Sequence, residues 1–268
     1  MKRVASLAIV VAAVVLTACA GSIARPLLAP AKPGADALLI LPGFGYSRDG
    51  EQALRELEPS MARQGVDLFV PTYISRSGLD KSRAQLERFI RDHHLERYDR
   101  LHVFAFIAGA WTFNPLAATR QLPNLATVVY DRSPYQERAP RIAAEKLRVL
   151  TWLRYGSPVF EVASTPYPPL ASPGVNVALI VETRPTSFIK QHESAARSYG
   201  PFRFECDAFM QPYADCMYVE MNHEDVYVRF AEIWPELLGF IQTGRFTKTA
   251  NRTKPAGDAL ARNSGTVR

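Results

Sequence analysis

Cysteine is scarce in this chain: three in 268 residues, Cys19, Cys206 and Cys216. So few thiols exclude a small disulfide-stapled scaffold. Two of them ten positions apart, with no neighbouring Cys or His at ligand spacing, do not make a zinc site, and no metal or other cofactor is expected. A membrane-spanning run is also missing. The most apolar stretch, Val4 to Leu16, is too short to cross a bilayer comfortably. No internal repeat is visible. Charge of one sign is lacking where it would matter. The formal net charge is +6, but the leader carries +2 and the segment after Gly244 carries +5, so the body between them stands near −1. That excludes a basic nucleic-acid binder.

What is present at the N-terminus is an address. Lys2 and Arg3 precede the apolar run, which ends in Leu16-Thr17-Ala18-Cys19. This is signal-peptide anatomy. The last four residues resemble the lipobox of bacterial lipoproteins. That resemblance implies cleavage after residue 18, lipidation of Cys19 and anchoring in a membrane, since several acyl chains hold where one is marginal. Ala20 follows in place of the Asp that often retains such proteins in the inner membrane, which implies the periplasmic face of the outer membrane. Residues 19–36, rich in proline, read as a tether. Outside the cytoplasm Cys206 and Cys216 are expected to pair, stabilising by about 2–3 kcal/mol on the chain-entropy estimate. The segment 245–268 is polar and basic and reads as a disordered tail.

Between tether and tail, apolar runs alternate with amphipathic stretches. Strands are expected at Ala37–Leu41, Leu68–Val70, from Leu101 to the turn near Ile107, Leu125–Tyr130, Val175–Glu182 and Asp215–Met221. Helices fall around Glu51–Gln64, after a capping box at Ser77–Asp80, and from Glu224 to Thr243 with a break at Pro235. The pattern predicts an α/β fold: three αβα layers around a mostly parallel sheet. Ligands of such sheets bind outside the carboxyl ends of the strands. The stretch 131–174 holds one helix, with Ile142, Leu147 and Leu150, and then a Pro-rich run from Ser157 to Gly174.

The loops after the strands carry an ordered set of residues. Pro42-Gly43-Phe44-Gly45 follows the first strand, Asp131 the fourth, Glu182 the fifth, and His223 precedes the last helix. This order over residues 37–244 resembles the α/β-hydrolase family. The resemblance implies that the backbone N–H groups of Phe44 and Ala108 are oxyanion donors, that His223 is the base, that Glu182 or Asp131 is its acid, and that residues 131–174 form a cap.

The nucleophile breaks the match. The family's Gly-x-Ser-x-Gly elbow falls on Ala105-Phe106-Ile107-Ala108-Gly109, and Ile107 occupies the serine's place. From Leu101 to Trp111 there is no Ser, Cys, Asp or Glu. Thr112 lies within the helix, and Ser133 is on no elbow. A β-branched residue also resists the positive φ of an elbow, so the turn is expected to be relaxed at Ile107 or shifted to Gly109. The expectation is a non-catalytic binding protein of the cell envelope, taking a lipid, a glycan or a protein partner. The alternative is an esterase or lipase-like hydrolase that uses a non-standard nucleophile or a water activated by His223. Nothing in the sequence bears on oligomeric state.

Overall fold

The computed structural model describes residues 21–24, 34–120 and 122–256. The leader, Cys19, the middle of the tether and the last twelve residues lie outside these. Six strands, β1 (Asp36–Leu41), β2 (Val66–Phe69), β3 (Arg100–Ala105), β4 (Leu125–Arg132), β5 (Asn176–Glu182) and β6 (Asp215–Val219), form one sheet in the order β2-β1-β3-β4-β5-β6. Every neighbouring pair is parallel. Both faces are covered, which is why the strands read as unbroken apolar runs and not as alternating ones.

Period-two alternation sorts the side chains into two cores. Leu39, Leu41, Val103, Ala105, Val128, Tyr130, Leu179 and Val181 face one layer. Leu38, Ile40, Phe104, Phe106, Val129, Ile180 and Met217 face the other. The first layer includes α2 (Leu79–Asp92) and α3 (Ile107–Thr119). The second is built by α1 (Arg48–Arg63), α9 (His223–Val228) and α10 (Phe230–Thr243). The strand order reverses direction between β1 and β3. A crevice forms at such a switch point, and the loops after these two strands border it.

The expected cap is more structured than its sequence suggested. Residues 131–174 hold three helices, α4 (Ala139–Lys146), α5 (Arg148–Tyr155) and α6 (Pro158–Ser164). The single expected helix breaks at Leu147, and the Pro-rich run begins as a helix because Pro158 sits in its first turn, where a missing N–H costs nothing. Two short helices, α7 (Ser187–Gln191) and α8 (Glu193–Ser198), follow β5.

Several local expectations are corrected. No capping box forms at Ser77. The helix starts from Gly78 at φ 121°, and the Leu79 N–H donates instead to Glu161 Oε2 of α6 at 2.9 Å. A carboxylate from α6 thus satisfies an orphan donor and sits at the positive end of the helix. The C-terminal helix breaks at Arg229 and not at Pro235. A reciprocal Asn222–Asp225 capping box fixes the direction of short α9, and α10 restarts beyond it.

Both terminal segments are partly docked. Within the tether, Ile23 is buried and exchanges two backbone hydrogen bonds with Val70, at 2.9 and 2.7 Å. The segment taken as a disordered tail packs over its first ten residues. Phe246 is buried, Asp215 accepts from the Phe246 N–H and from Arg252, and the Tyr218 N–H donates to Asn251 O at 2.8 Å. The physical reason is that β6 has an N–H row on its outer side that needs acceptors. Cys206 and Cys216 form the expected disulfide, with Cα atoms 6.5 Å apart, tying the loop before β6 to that strand.

Gly109 shows how closely α3 is pressed on β1. A Cβ there would stand 2.7 Å from the carbonyl oxygen of Leu41 and 2.8 Å from its Cβ. Neither backbone can yield cheaply. Gly109→Ala is therefore expected to destabilise the fold by about 1–3 kcal/mol, the usual scale of overpacking. Urea unfolding of the two proteins measures this, and equal midpoints would mean that the helix is free to move off the strand.

Candidate functional site

The site begins with two adjacent strands. Asp131 pairs in register with Ile180, and Glu182 lies two residues beyond Ile180. Both carboxylates therefore project from the same face of the sheet, as diagonal neighbours. Asp131 lies inside β4, one residue short of its end, and Glu182 closes β5. His223 opens α9 over the same face, directly after the capping residue Asn222. Its Nδ1 lies 2.9 Å from Glu182 Oε1 and 3.0 Å from Asp131 Oδ2. The hydrogen bond runs to Glu182, and Asp131 stands beside it. The two acids left as alternatives by the sequence thus meet the histidine together.

Both carboxylates are fully buried, and Asp131 Oδ1, Asp131 Oδ2 and Glu182 Oε2 find no hydrogen-bond partner. Burial, and then the charge of Asp131, raise the pKa of Glu182 well above the usual carboxylate value. For His223 burial alone would favour the neutral ring. The negative charge of Glu182 and the closeness of both acids outweigh it, and the pKa rises from 6.5 to about 10. At neutral pH the cluster therefore favours the imidazolium form of His223, while burial and the neighbouring charge disfavour the ionised form of Glu182. This distribution keeps an otherwise costly group of charges close to neutral.

The donor atoms of Asp131, Glu182 and His223 lie within 4.8 Å of one another, a grouping found once among the described residues. A cation there would need Nδ1, which is committed to the bond with Glu182. The chemistry of the donor set therefore favours the proton over a metal.

The far side of the imidazole looks toward the loop after β1. A Cβ on Gly43 would stand 3.3 Å from His223 Nε2 and 3.3 Å from the Tyr227 hydroxyl, so a side chain there would press on both. The Gly43 N–H donates to that hydroxyl at 2.6 Å, and Tyr73 holds the preceding turn through its bond to Pro42 O at 2.7 Å. Phe106 stacks on Tyr227 at 4.0 Å and meets the His223 ring edge-on at 5.2 Å. Tyr227 was missed in the sequence. Its spacing from His223, four residues on one helix, was the available signal.

A cavity of about 180 Å³ opens in front of this group. Phe44, Ile107, Ala108 and His223 border it, with Ala143, Tyr155 and Val159 from α4, α5 and α6, and Gln136 bonded to Thr186 at one side. Phe44 and Ala108, the expected oxyanion positions, therefore face the same space as the histidine. Ile107 is the first residue of α3, and its preceding turn is relaxed. Phe106 is extended at φ −70°, and the only non-glycine residues with positive φ among those described are His94 and Met210. Thr112 turns its hydroxyl back to Ala108 O at 3.1 Å, inside its own helix. The Ser133 hydroxyl is buried and accepts from the Gln136 N–H. Neither lines the cavity that His223 borders.

The strand order, the glycine loop after β1, the strand–turn–helix at Ile107 and the acid–histidine cluster decide the architecture. The fold is α/β-hydrolase-like. No family model matches the chain, and no curated protein matches its sequence. Solved structures of similar shape include an esterase of Pyrococcus furiosus, at 13% identity and TM-score 0.43, covering 78% of this chain and 82% of that one. A type II thioesterase from the borrelidin biosynthetic cluster shares 15% identity at TM-score 0.48, covering 82% and 99%. Juvenile hormone epoxide hydrolase of the silkworm Bombyx mori shares 13% at 0.48, covering 84% and 73%. Likeness at this level transfers no activity to the chain.

The proton on His223 predicts a pH dependence. Its pKa is raised on folding, so its contribution to stability is full below about 6.5 and is lost as pH rises toward about 10. Glu182, also raised, acts in the same direction. Unfolding free energy should fall between pH 7 and 9.5 with a slope of up to about 1.4 kcal/mol per unit for one proton. His223→Ala should flatten that slope whatever its effect on absolute stability. Denaturant titrations at several pH values measure both, and parallel curves for the two proteins would contradict the shift.

Proposed function

We propose that the protein is a lipid-anchored protein of the cell envelope, held through Cys19 at the periplasmic face of the outer membrane, whose pocket binds an acyl compound without serine-hydrolase catalysis. The observation that carries this reading is Ile107. It stands at the start of α3, beside Ala108 and within the pocket that His223 borders, and it offers no atom for a histidine to activate.

The state of the histidine supports the same reading. A base must have a free lone pair at working pH. With the pKa raised to about 10, the imidazolium instead presents an N–H to the cavity. Together with the Phe44 and Ala108 backbone positions, this favours a carbonyl oxygen as the bound group. Much of the remaining lining, Ile107, Ala139, Pro140, Val159 and Phe188, is apolar and suits a short hydrocarbon chain, with Gln136, Thr186 and Glu224 as its polar members. The volume is small beside the ~300–1,000 Å³ of drug-sized sites. It accommodates a head and a few methylenes, not a whole lipid.

The competing reading, a hydrolase in which His223 activates water, is favoured by one feature, the intact contact between the histidine and its two acids. It requires a rate that climbs with pH toward 10 and disappears in His223→Ala.

p-Nitrophenyl butyrate separates the two. Calorimetry should show it binding, with no nitrophenolate released, and Ala143→Trp should abolish binding by filling the pocket while leaving the cluster untouched. A serine-directed fluorophosphonate should fail to label the protein. Turnover lost on removing His223, or labelling lost on replacing one serine, would overturn the proposal.

A further inference from the structure

Helix α5 is built inside out. Its sequence is RVLTWLRY, and the residue it buries is the polar one: Thr151, whose hydroxyl donates to Ala143 O at 2.9 Å. Its apolar residues face outward. Val149 is 70% exposed, Trp152 58%, Leu150 43% and Leu153 42%. Of the other large apolar residues exposed among those described, Met210 and Tyr213 lie in the loop before β6 and Val228 ends α9. Single exposed apolar residues need no explanation, but four on two turns of one helix do.

The helix is also held firmly. The Arg76 guanidinium donates to the carbonyl oxygens of Leu153, Arg154 and Trp152 at 2.7, 2.8 and 3.2 Å, satisfying the C-terminal end of α5. Gly156 then turns at φ 73°, so close to Arg76 that a Cβ would stand 2.1 Å from its carbonyl oxygen. The outward face is thus fixed in place and is not a frayed end.

Two further facts identify what it meets. The segment from Lys146 to Gly156 carries Lys146, Arg148 and Arg154 and no acidic residue. Exposed apolar side chains flanked by cations are the pattern of a helix lying in an anionic lipid surface. The second fact is position. The loop after β2 holds the N-terminal segment at Val70 and Thr72, where the Thr72 N–H donates to Ser22 Oγ at 2.9 Å, and holds α5 at Arg76. Four residues separate the two attachments, at most about 14 Å of extended chain. Ser22 is three residues from Cys19, about another 10 Å at most. Ser22 and the apolar helix therefore belong to one rim of the molecule. Tyr155, at the end of α5, lines the pocket and packs edge-on against Phe44 at 5.6 Å.

We propose that α5 is a second membrane contact: Val149, Leu150, Trp152 and Leu153 insert into the headgroup region of the anionic phospholipid leaflet to which Cys19 tethers the chain, and this turns the pocket mouth toward that leaflet. The orientation rests on the anchor reading above, whereas the lipid affinity of α5 does not. Eight residues span about 12 Å, so the helix lies on the surface and does not cross it. No helix of the described residues is long and apolar enough to cross a membrane.

Trp152 is a built-in reporter, because Trp111 and Trp234 are buried. The full chain is reconstituted with vesicles of phosphatidylethanolamine and phosphatidylglycerol in which part of the lipid carries brominated acyl chains. Acylation of Cys19 is measured separately by mass spectrometry, on this chain and on Cys19→Ser. Emission assigned to Trp152, by difference from Trp152→Phe, should shift to the blue and fall at least twofold with brominated lipid. The paired change Val149→Ser with Leu153→Ser, on an exposed face, should remove the effect while leaving the circular dichroism unchanged. Quenching of Trp152 without acylation at Cys19 would uphold the helix and reject the anchor. The proposal is overturned if vesicle-bound protein keeps Trp152 open to acrylamide and unquenched by bromolipid. It is equally overturned if the blue shift appears without vesicles and grows with protein concentration, which would assign the face to a second copy.

Discussion

One nitrogen organises the site. His223 Nδ1 stands between two buried carboxylates from adjacent strands, and those carboxylates are brought together by the parallel register of β4 and β5. A slip of one residue in that register would turn one acid to the opposite face and leave the other buried beside the histidine alone. The sheet is therefore not a neutral support. Its pairing sets the number of negative charges around the imidazole, and these set where its proton resides.

Such a cluster is costly to keep. Apolar residues of similar volume would serve stability as well or better, since desolvating charges often exceeds what their attraction returns. Perturbed, buried titratable groups in a cleft are the usual mark of a working site. Here the group stands opposite a side chain with no chemistry. On the reading proposed above, the site would keep one property, polarisation of a bound group, without the other, attack upon it.

The broad architecture was legible because its signals are local. Buried parallel strands read as short apolar runs, and the loops after them held the glycines, acids and histidine in order. The strand–turn–helix pattern placed the elbow, and the β-branching of Ile107 left a turn relaxed there or shifted to Gly109, of which the first is found. What could not be read depends on distant partners. The cap of α2 is Glu161, about eighty positions away, so the local Ser77–Asp80 pattern misled. Tyr227 joins the site through the N–H of Gly43, a bond across 184 positions. The convergence of both Asp131 and Glu182 on His223 follows from strand register, which single-strand patterns do not carry. The inverted face of α5 defeated a periodicity argument for a plainer reason: such arguments assume that the apolar side faces inward, and here Leu150 faces out.

The docked segments near the two ends of the chain also have a meaning for how the molecule behaves in company. An open parallel sheet has two free borders, and each is a template for a strand from another molecule. On one border Ile23 bridges to Val70, immediately beyond β2; on the other the backbone around Asn251 lies against β6. The polypeptide thus covers one point at each border with its own chain. Wherever copies are crowded together, this hinders their sheets from joining at those points.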